Sequence, residues 1–290
     1  MIVKLPFLIT QSFAKPILKF VLTLLFLPLQ FTDQLNRKIE LSSPPKRIIS
    51  LVPSQTELLY DLGLRDEVVG ITKFCVHPEE WFRSKTRIGG TKKYDFEKIR
   101  ALQPDLIIGN KEENEQVQIE ELMKDYNVWM SDIYKLKDAY DMITRIGALV
   151  GKQQEATNLK LQIESEFQKI LNPKSEFLNV AYFIWNNPYM VAGNNTFINE
   201  MLRVCGFKNV FQEARYPEIN VKQLADANPE VILLSSEPYP FKEKHIQEFK
   251  EICPNAKVLI VDGEIFSWYG SRLLKAPAYF GQLIEEISSK

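Results

Sequence analysis

From Arg47 onward, apolar and polar positions fall into blocks of two kinds. RIISLVP, Arg47 to Pro53, is an apolar, largely β-branched run closed by proline, the pattern of a buried strand. SQTELLYDLGL follows, with Leu58, Leu59 and Leu62 at helical spacing and Gly63 as the stop. The blocks then alternate. EVVGIT reads as a strand, FEKIRALQP as a helix with a proline stop, and Leu106 to Ile108 as the next strand. VQIEELMKDY is helical and NVWMSD extended. Such alternation predicts an α/β fold whose mainly parallel sheet carries helices on both faces.

Between Leu136 and Leu171 no proline occurs, and apolar residues recur with the helical period. Tyr140, Ile143, Ile146 and Leu149 mark one helix. Leu159, Ile163, Phe167 and Ile170 mark a second, longer one starting near Gln153, with Gly147 and Gly151 as weak points. The short loop NPKSEF leads into a new strand, NVAYFIW. The second half then repeats the first. VKQLADANPEVILLS answers FEKIRALQPDLIIG, and EMLRVCGF answers ELLYDLGL. Unequal offsets between the two matches indicate a duplication with insertions rather than a solenoid. The pattern predicts an extension at 1–30, a first lobe at 31–135, linking helices at 136–171 and a second lobe at 172–290.

Composition narrows the function classes. The 290 residues are 45% hydrophobic, and 36 Lys and Arg balance 37 Asp and Glu. No general basic field exists to hold nucleic acid. Three cysteines without CxxC spacing exclude a fully paired disulfide framework. Near the N-terminus, Lys15 and Lys19 precede FVLTLLFLPLQF, Phe20 to Phe31, a run too short for an ordinary spanning helix. It has the length of the apolar core of an export signal, without an A-x-A-like cleavage site. The alternative is an upstream extension of a domain that begins near Phe31.

Ligands of open parallel sheets sit beyond the carboxyl ends of the strands. The segments there are VPSQTE, TKFCVHPEEW and GNKEEN in the first lobe, then WNNPYMVAGNN, SSEPYPF and DGEIFSWYGSR in the second. They carry three of the four tryptophans, which suits a large, rigid, partly apolar ligand. Candidate ligand residues are Ser54, Phe74, His77, Trp185, Tyr189, Phe266, Trp268, Tyr269 and Arg272. Ser54 raises a separate question. VPSQTE lacks the glycines of a nucleophile elbow, whereas Ser54 as N-cap with Glu57 at N3 makes a capping box. A Ser54/His77 hydrolase is the enzymatic alternative, since only His77 and His245 are available as a base. No metal-ligand spacing, GxGxxG or P-loop occurs, so no protein-built metal site, intrinsic cofactor or catalytic residue is assigned. The acidic stretches GNKEENEQVQIEE and SSEPYPFKEKHIQE occupy matching places in the two halves. They are either solvated helix starts or a pair of carboxylate rims for a twofold-symmetric partner.

The strings KRIISLVPSQTELLYDLGL, VVGITKFCVHP, IGGTKKYDFEKIRALQPDLIIGN and VKQLADANPEVILLSSEP resemble the class III periplasmic substrate-binding proteins of ABC importers, in particular cobalamin and ferric-siderophore binders. The resemblance runs from about Phe31 to Ser289. It implies two Rossmann-like lobes joined by a stiff backbone helix, with a metal chelate held between them. The chelate would be a corrinoid (cobalamin), or alternatively a ferric siderophore or haem. The resemblance implies ligand contacts from Phe74, Trp185, Trp268 and Tyr269. It implies permease docking by one glutamate per lobe, drawn from Glu112, Glu113 and Glu115 and from Glu237 and Glu243. A monomeric, periplasmic protein is expected. Asn110 stands where relatives carry a tryptophan.

Overall fold

A computed structural model describes residues 29–170 and 178–289. The signal-like segment 1–28 and the whole of the predicted NPKSEF loop lie outside the described residues. The chain enters through an antiparallel hairpin of β1 (Leu29–Thr32) and β2 (Lys38–Leu41). Asp33 ties its turn together, accepting from the Leu35 and Arg37 amides and the Arg37 guanidinium.

The first lobe is a five-stranded parallel sheet. Its strands are β3 (Ile48–Ser50), β4 (Val68–Ile71), β5 (Thr86–Arg87), β6 (Leu106–Asn110) and β7 (Val128–Ser131), in the order β5-β4-β3-β6-β7. Helices α1 (Pro53–Asp61), α2 (Glu79–Ser84), α3 (Phe96–Leu102) and α4 (Gln116–Leu122) alternate with them. Interior strand β6 is buried at every residue, as a parallel strand covered on both faces must be. The capping box expected at Ser54 does not form. Val52 is the N-cap, and Pro53, preset for helix and lacking an N–H, takes the first helical position. The helix therefore starts two residues early, Ser54 sits inside the first turn, and Glu57 is released for another partner.

The connection is two packed helices, α5 (Leu136–Leu149) and α6 (Gln153–Gln168). Gly151, at φ 72°, turns the chain between them. At Gly147 the helices press so closely that an added Cβ would lie 2.2 Å from the Ala156 Cβ. At 1.5 Å per residue, α6 is a rod of about 24 Å.

The second lobe holds a six-stranded mixed sheet: β8 (Leu178–Trp185), β9 (Tyr189–Val191), β10 (Phe207–Asn209), β11 (Glu218–Ile219), β12 (Val231–Ser235) and β13 (Lys257–Val261). Strands β10, β12 and β13 run parallel to the β8 direction, whereas β9 is antiparallel to both β8 and β11. Helices α7 (Phe197–Val204), α8 (Val221–Ala227), α9 (Glu243–Ile252), α10 (Gly263–Ser267) and α11 (Ala276–Ser288) complete it, with a 3-10 turn at Ser271–Leu274.

The sequence repeat has a backbone counterpart. Both α3 and α8 are capped by a side chain, Asp95 to the Lys98 amide and Asn220 to the Gln223 amide. Both end on a left-handed residue, Gln103 at φ 45° and Asn228 at φ 43°, directly before a proline and a fully buried strand. The main core is continuous from Ile48 and Leu58 through Met142, Ile146 and Ile163 to Tyr182, Phe266 and Phe280. Two lobes sharing one core through α5, α6 and α11 resist a wide hinge.

Candidate functional site between the lobes

The loops that follow the parallel strands of both lobes meet along one seam. In the first lobe the loop after β6 is built by Asn110. Its Oδ1 accepts from the Glu112 and Glu113 amides at 2.8 and 3.1 Å, and its Nδ2 donates to Ser131 Oγ at 2.9 Å. Asn114 Oδ1 closes the loop by accepting from the Asn110 amide. This turn delivers two carboxylates to the seam. Glu112 reaches Arg215 of the second lobe at 3.1 Å and lies against the Tyr216 hydroxyl. Arg215 also stands 5.8 Å from the Tyr134 ring centroid. Glu113 is half-buried, has no ion pair or side-chain hydrogen bond among the described residues, and faces Glu237. Burial, then repulsion from Glu112 and Glu237, pushes its pKa up to about 7.

Opposite, Glu237 follows β12. It accepts from Trp268 Nε1 at 2.9 Å and Ser267 Oγ at 3.1 Å. Burial and then the neighbouring Glu264 raise its pKa, while those two hydrogen bonds pull the other way. His77, after β4, contacts Glu264 at 3.3 Å and sets its ring edgewise to Trp268.

The floor of the seam is an ion-pair knot. Arg272, 9% exposed, grips Glu57 of α1 with two bonds of 2.9 Å, reaches Glu264 at 2.5 Å, and lies 4.4 Å from the Trp268 ring centroid. The guanidinium fork suits this carboxylate geometry, and the aromatic face takes its flat side. Ser271 donates to Asp61 beside it. Gly270 permits the approach, since a Cβ there would sit 2.4 Å from the Ser54 carbonyl oxygen. Ser54 and Tyr269 place their hydroxyls next to each other, both deeply buried and without a well-formed hydrogen-bond partner.

The structure thus brings Ser54, His77, Trp268, Tyr269 and Arg272 together and treats other candidates differently. Arg272 faces carboxylates and an indole rather than open space. Phe266 is fully buried among Tyr182, Tyr279 and Phe280, a core position. Tyr189 stacks on Phe183 and Phe249 and donates to Glu248 of α9, which turns it into the second lobe's own core. Phe74 and Trp185 are the exposed aromatics, 50% and 39% accessible, with Trp185 edge-on to Tyr239. A groove of about 590 Å³ runs beside Phe74, with Lys73, Lys92 and Lys93 along it. Glu112, Glu113 and Glu237 turn into the seam, whereas Glu115 and Glu243 stay exposed at the starts of the corresponding helices α4 and α9. No hydrogen bond joins Ser54 to His77 among the described residues. Arg215 and Tyr216 were missed from sequence. They follow β10, a parallel strand of three residues that periodicity does not reveal.

A family model described as periplasmic binding protein matches residues 48–252, most of the chain and parts of both lobes. The chain belongs to the periplasmic binding protein family. This binding protein is 26% identical over 264 residues to the ABC transporter substrate-binding lipoprotein YvrC of Bacillus subtilis, covering 86% of this chain and 82% of that one. It is 27% identical over 202 residues to a vitamin B12-binding protein of Vibrio vulnificus, covering 67% and 72%. Among solved structures, the heme-binding protein RhuT of Roseiflexus sp. RS-1 superposes with a TM-score of 0.74 at 18% identity, covering 84% of this binding protein and 99% of RhuT. At that identity the likeness speaks for the fold. Family and neighbours are binding proteins.

Proposed function

We propose that this chain is the substrate-binding component of an ABC importer, working outside the cytoplasmic membrane. On this reading it captures a planar metal chelate between its lobes and hands it to a membrane permease. The observation that carries the proposal is the meeting of both sets of strand ends on one seam, with Phe74 and Trp185 exposed on its two sides. A corrinoid is favoured, supported by the vitamin B12-binding relative. Haem or a ferric siderophore is the alternative, supported by the fold shared with a heme-binding protein.

Access follows from unequal contacts. The rim pairs Arg215–Glu112 and His77–Glu264 are partly exposed, and pairs of that kind contribute about 0–1 kcal/mol each. The Arg272 knot is buried and the core continuous, so the rim parts while the floor holds. Phe74, Trp185, Trp268 and Tyr269 are proposed ligand contacts, with Trp268 and Tyr269 reached only on parting. Glu115 and Glu243, exposed at equivalent sites of the two lobes, are proposed to dock the permease. Isothermal titration with cyanocobalamin, hemin and ferric ferrioxamine tests the function. Saturable 1:1 binding of one of them is expected, and no heat with any of the three overturns the reading.

A further inference from the structure

The polar inventory at the centre of the seam is unusual for a site that would hold an anion. From one side comes Glu113, with no cation bonded to it among the described residues. From the other comes Glu237, which has two donors, Trp268 and Ser267, both on its Oε1. The nearby arginine, Arg272, is already held by Glu57 and Glu264. Lys92 is the cation that acts on Glu113, and it is exposed at the mouth, where water and salt screen it. A second, independent observation lies beneath the carboxylates. The Tyr269 and Ser54 hydroxyls, on residues 6% and 3% exposed, adjoin each other and have no other hydrogen-bond partner among the described residues. The Tyr269 phenol faces Glu113 closely enough to feel its charge. Buried polar groups left unpaired are costly, so the arrangement asks for an incoming group that satisfies them.

We infer that this centre is a subsite for carboxamide arms of the chelate and rejects carboxylate arms. A primary amide supplies two N–H donors for the Glu113 and Glu237 oxygens and a carbonyl acceptor for the Tyr269 or Ser54 hydroxyl. A carboxylate supplies no donor and sets a third negative charge against Glu113 and Glu237. The inference rests on the seam being the ligand cleft and adds which peripheral chemistry that cleft reads.

The test holds the ring constant and changes the arms. Dicyanocobinamide, with amide arms, is compared with dicyanocobyrinic acid, with carboxylate arms, by quenching of tryptophan fluorescence at pH 7.5. Hemin is likewise compared with hemin whose two propionates have been amidated. The amide form of a ring that binds should bind at least tenfold more tightly. In Glu113→Gln the ratio of amide-form to carboxylate-form affinity should shrink at least fivefold, with the carboxylate form binding more tightly than it does to wild type. A thermal melt checks that the variant is folded. Glu237→Gln serves as an independent second variant with the same expectation. Binding with equal affinity for both arm types, or a preference unchanged in both variants, overturns the subsite and leaves the carrier reading standing. No binding of any of the four probes overturns the subsite, and if ferric ferrioxamine also fails to bind, the carrier reading falls with it.

Discussion

Replacing Arg272 by methionine strips the charge from the floor of the seam while keeping much of the side-chain volume. Glu57, 9% exposed, then loses both of its 2.9 Å bonds, and Glu264 loses its 2.5 Å partner. Removing one member of a buried pair costs about 3–5 kcal/mol, because the remaining charge is stranded away from water. For a chain of this size each kcal/mol moves the melting temperature by about 2–4 °C, so a fall on the order of 10 °C is expected. Arg272→Lys should recover only part of it, since a single ammonium does not reproduce the bidentate fork. The double variant Arg272→Met with Glu57→Leu removes both charges, and the partner swap should restore most of the loss. The assay is thermal unfolding of wild type, these three variants and Glu57→Leu alone at pH 7, with the coupling read as a double-mutant cycle. A melting temperature for Arg272→Met within 2 °C of wild type would refute the reasoning, as would a double variant no more stable than the single one.

Glu113 binds its proton more tightly when folded, from 4.5 to about 7, so its charged form opposes folding. The stability present below pH 4.5 should fall as pH rises to about 7, by on the order of 2 kcal/mol for a half-buried group. Glu113→Gln should flatten that slope in urea melts, and an unchanged slope would count against it. Trp185→Ala, at an exposed ring, should weaken ligand binding about tenfold in titration calorimetry with a melting temperature within 2 °C of wild type. Trp268→Ala should lower both, since that indole also supports Arg272 and Glu237. Charge reversal at Glu115 and Glu243 should impair uptake by permease-containing vesicles without altering ligand affinity, and normal uptake would remove the docking assignment. Gly270→Ala should cost at least 2 kcal/mol by forcing a Cβ against the Ser54 carbonyl, readable as a shifted urea midpoint.

The class of fold was legible from the chain because its information is local. Buried parallel strands need unbroken apolar runs, and the helices between them need the 3.6 period. The helix–proline–strand repeat was legible for the same reason, each unit carrying its own cap and stop. Short elements were not. Strands β9, β10 and β11 have two or three residues each, too few for a period, and only pairing with β8 or one another makes them strands. That blind spot also hid Arg215 and Tyr216.

The loops at the seam could be named from strand order alone, but the direction of each side chain could not. Phe266 and Trp268 are two residues apart, yet one is core and the other stacks on Arg272. Glu57 looks from sequence like half of a capping box. A proline one position earlier shifts the helix start, and an arginine 215 residues away takes the carboxylate instead. The chain by itself determined two similar α/β halves, their helical link and the absence of a general basic field. Tertiary structure alone decided that Glu113 and Glu237, acids from the two halves, face each other, since charge at one position becomes an interaction only when distant segments share a few ångströms of poorly hydrated space.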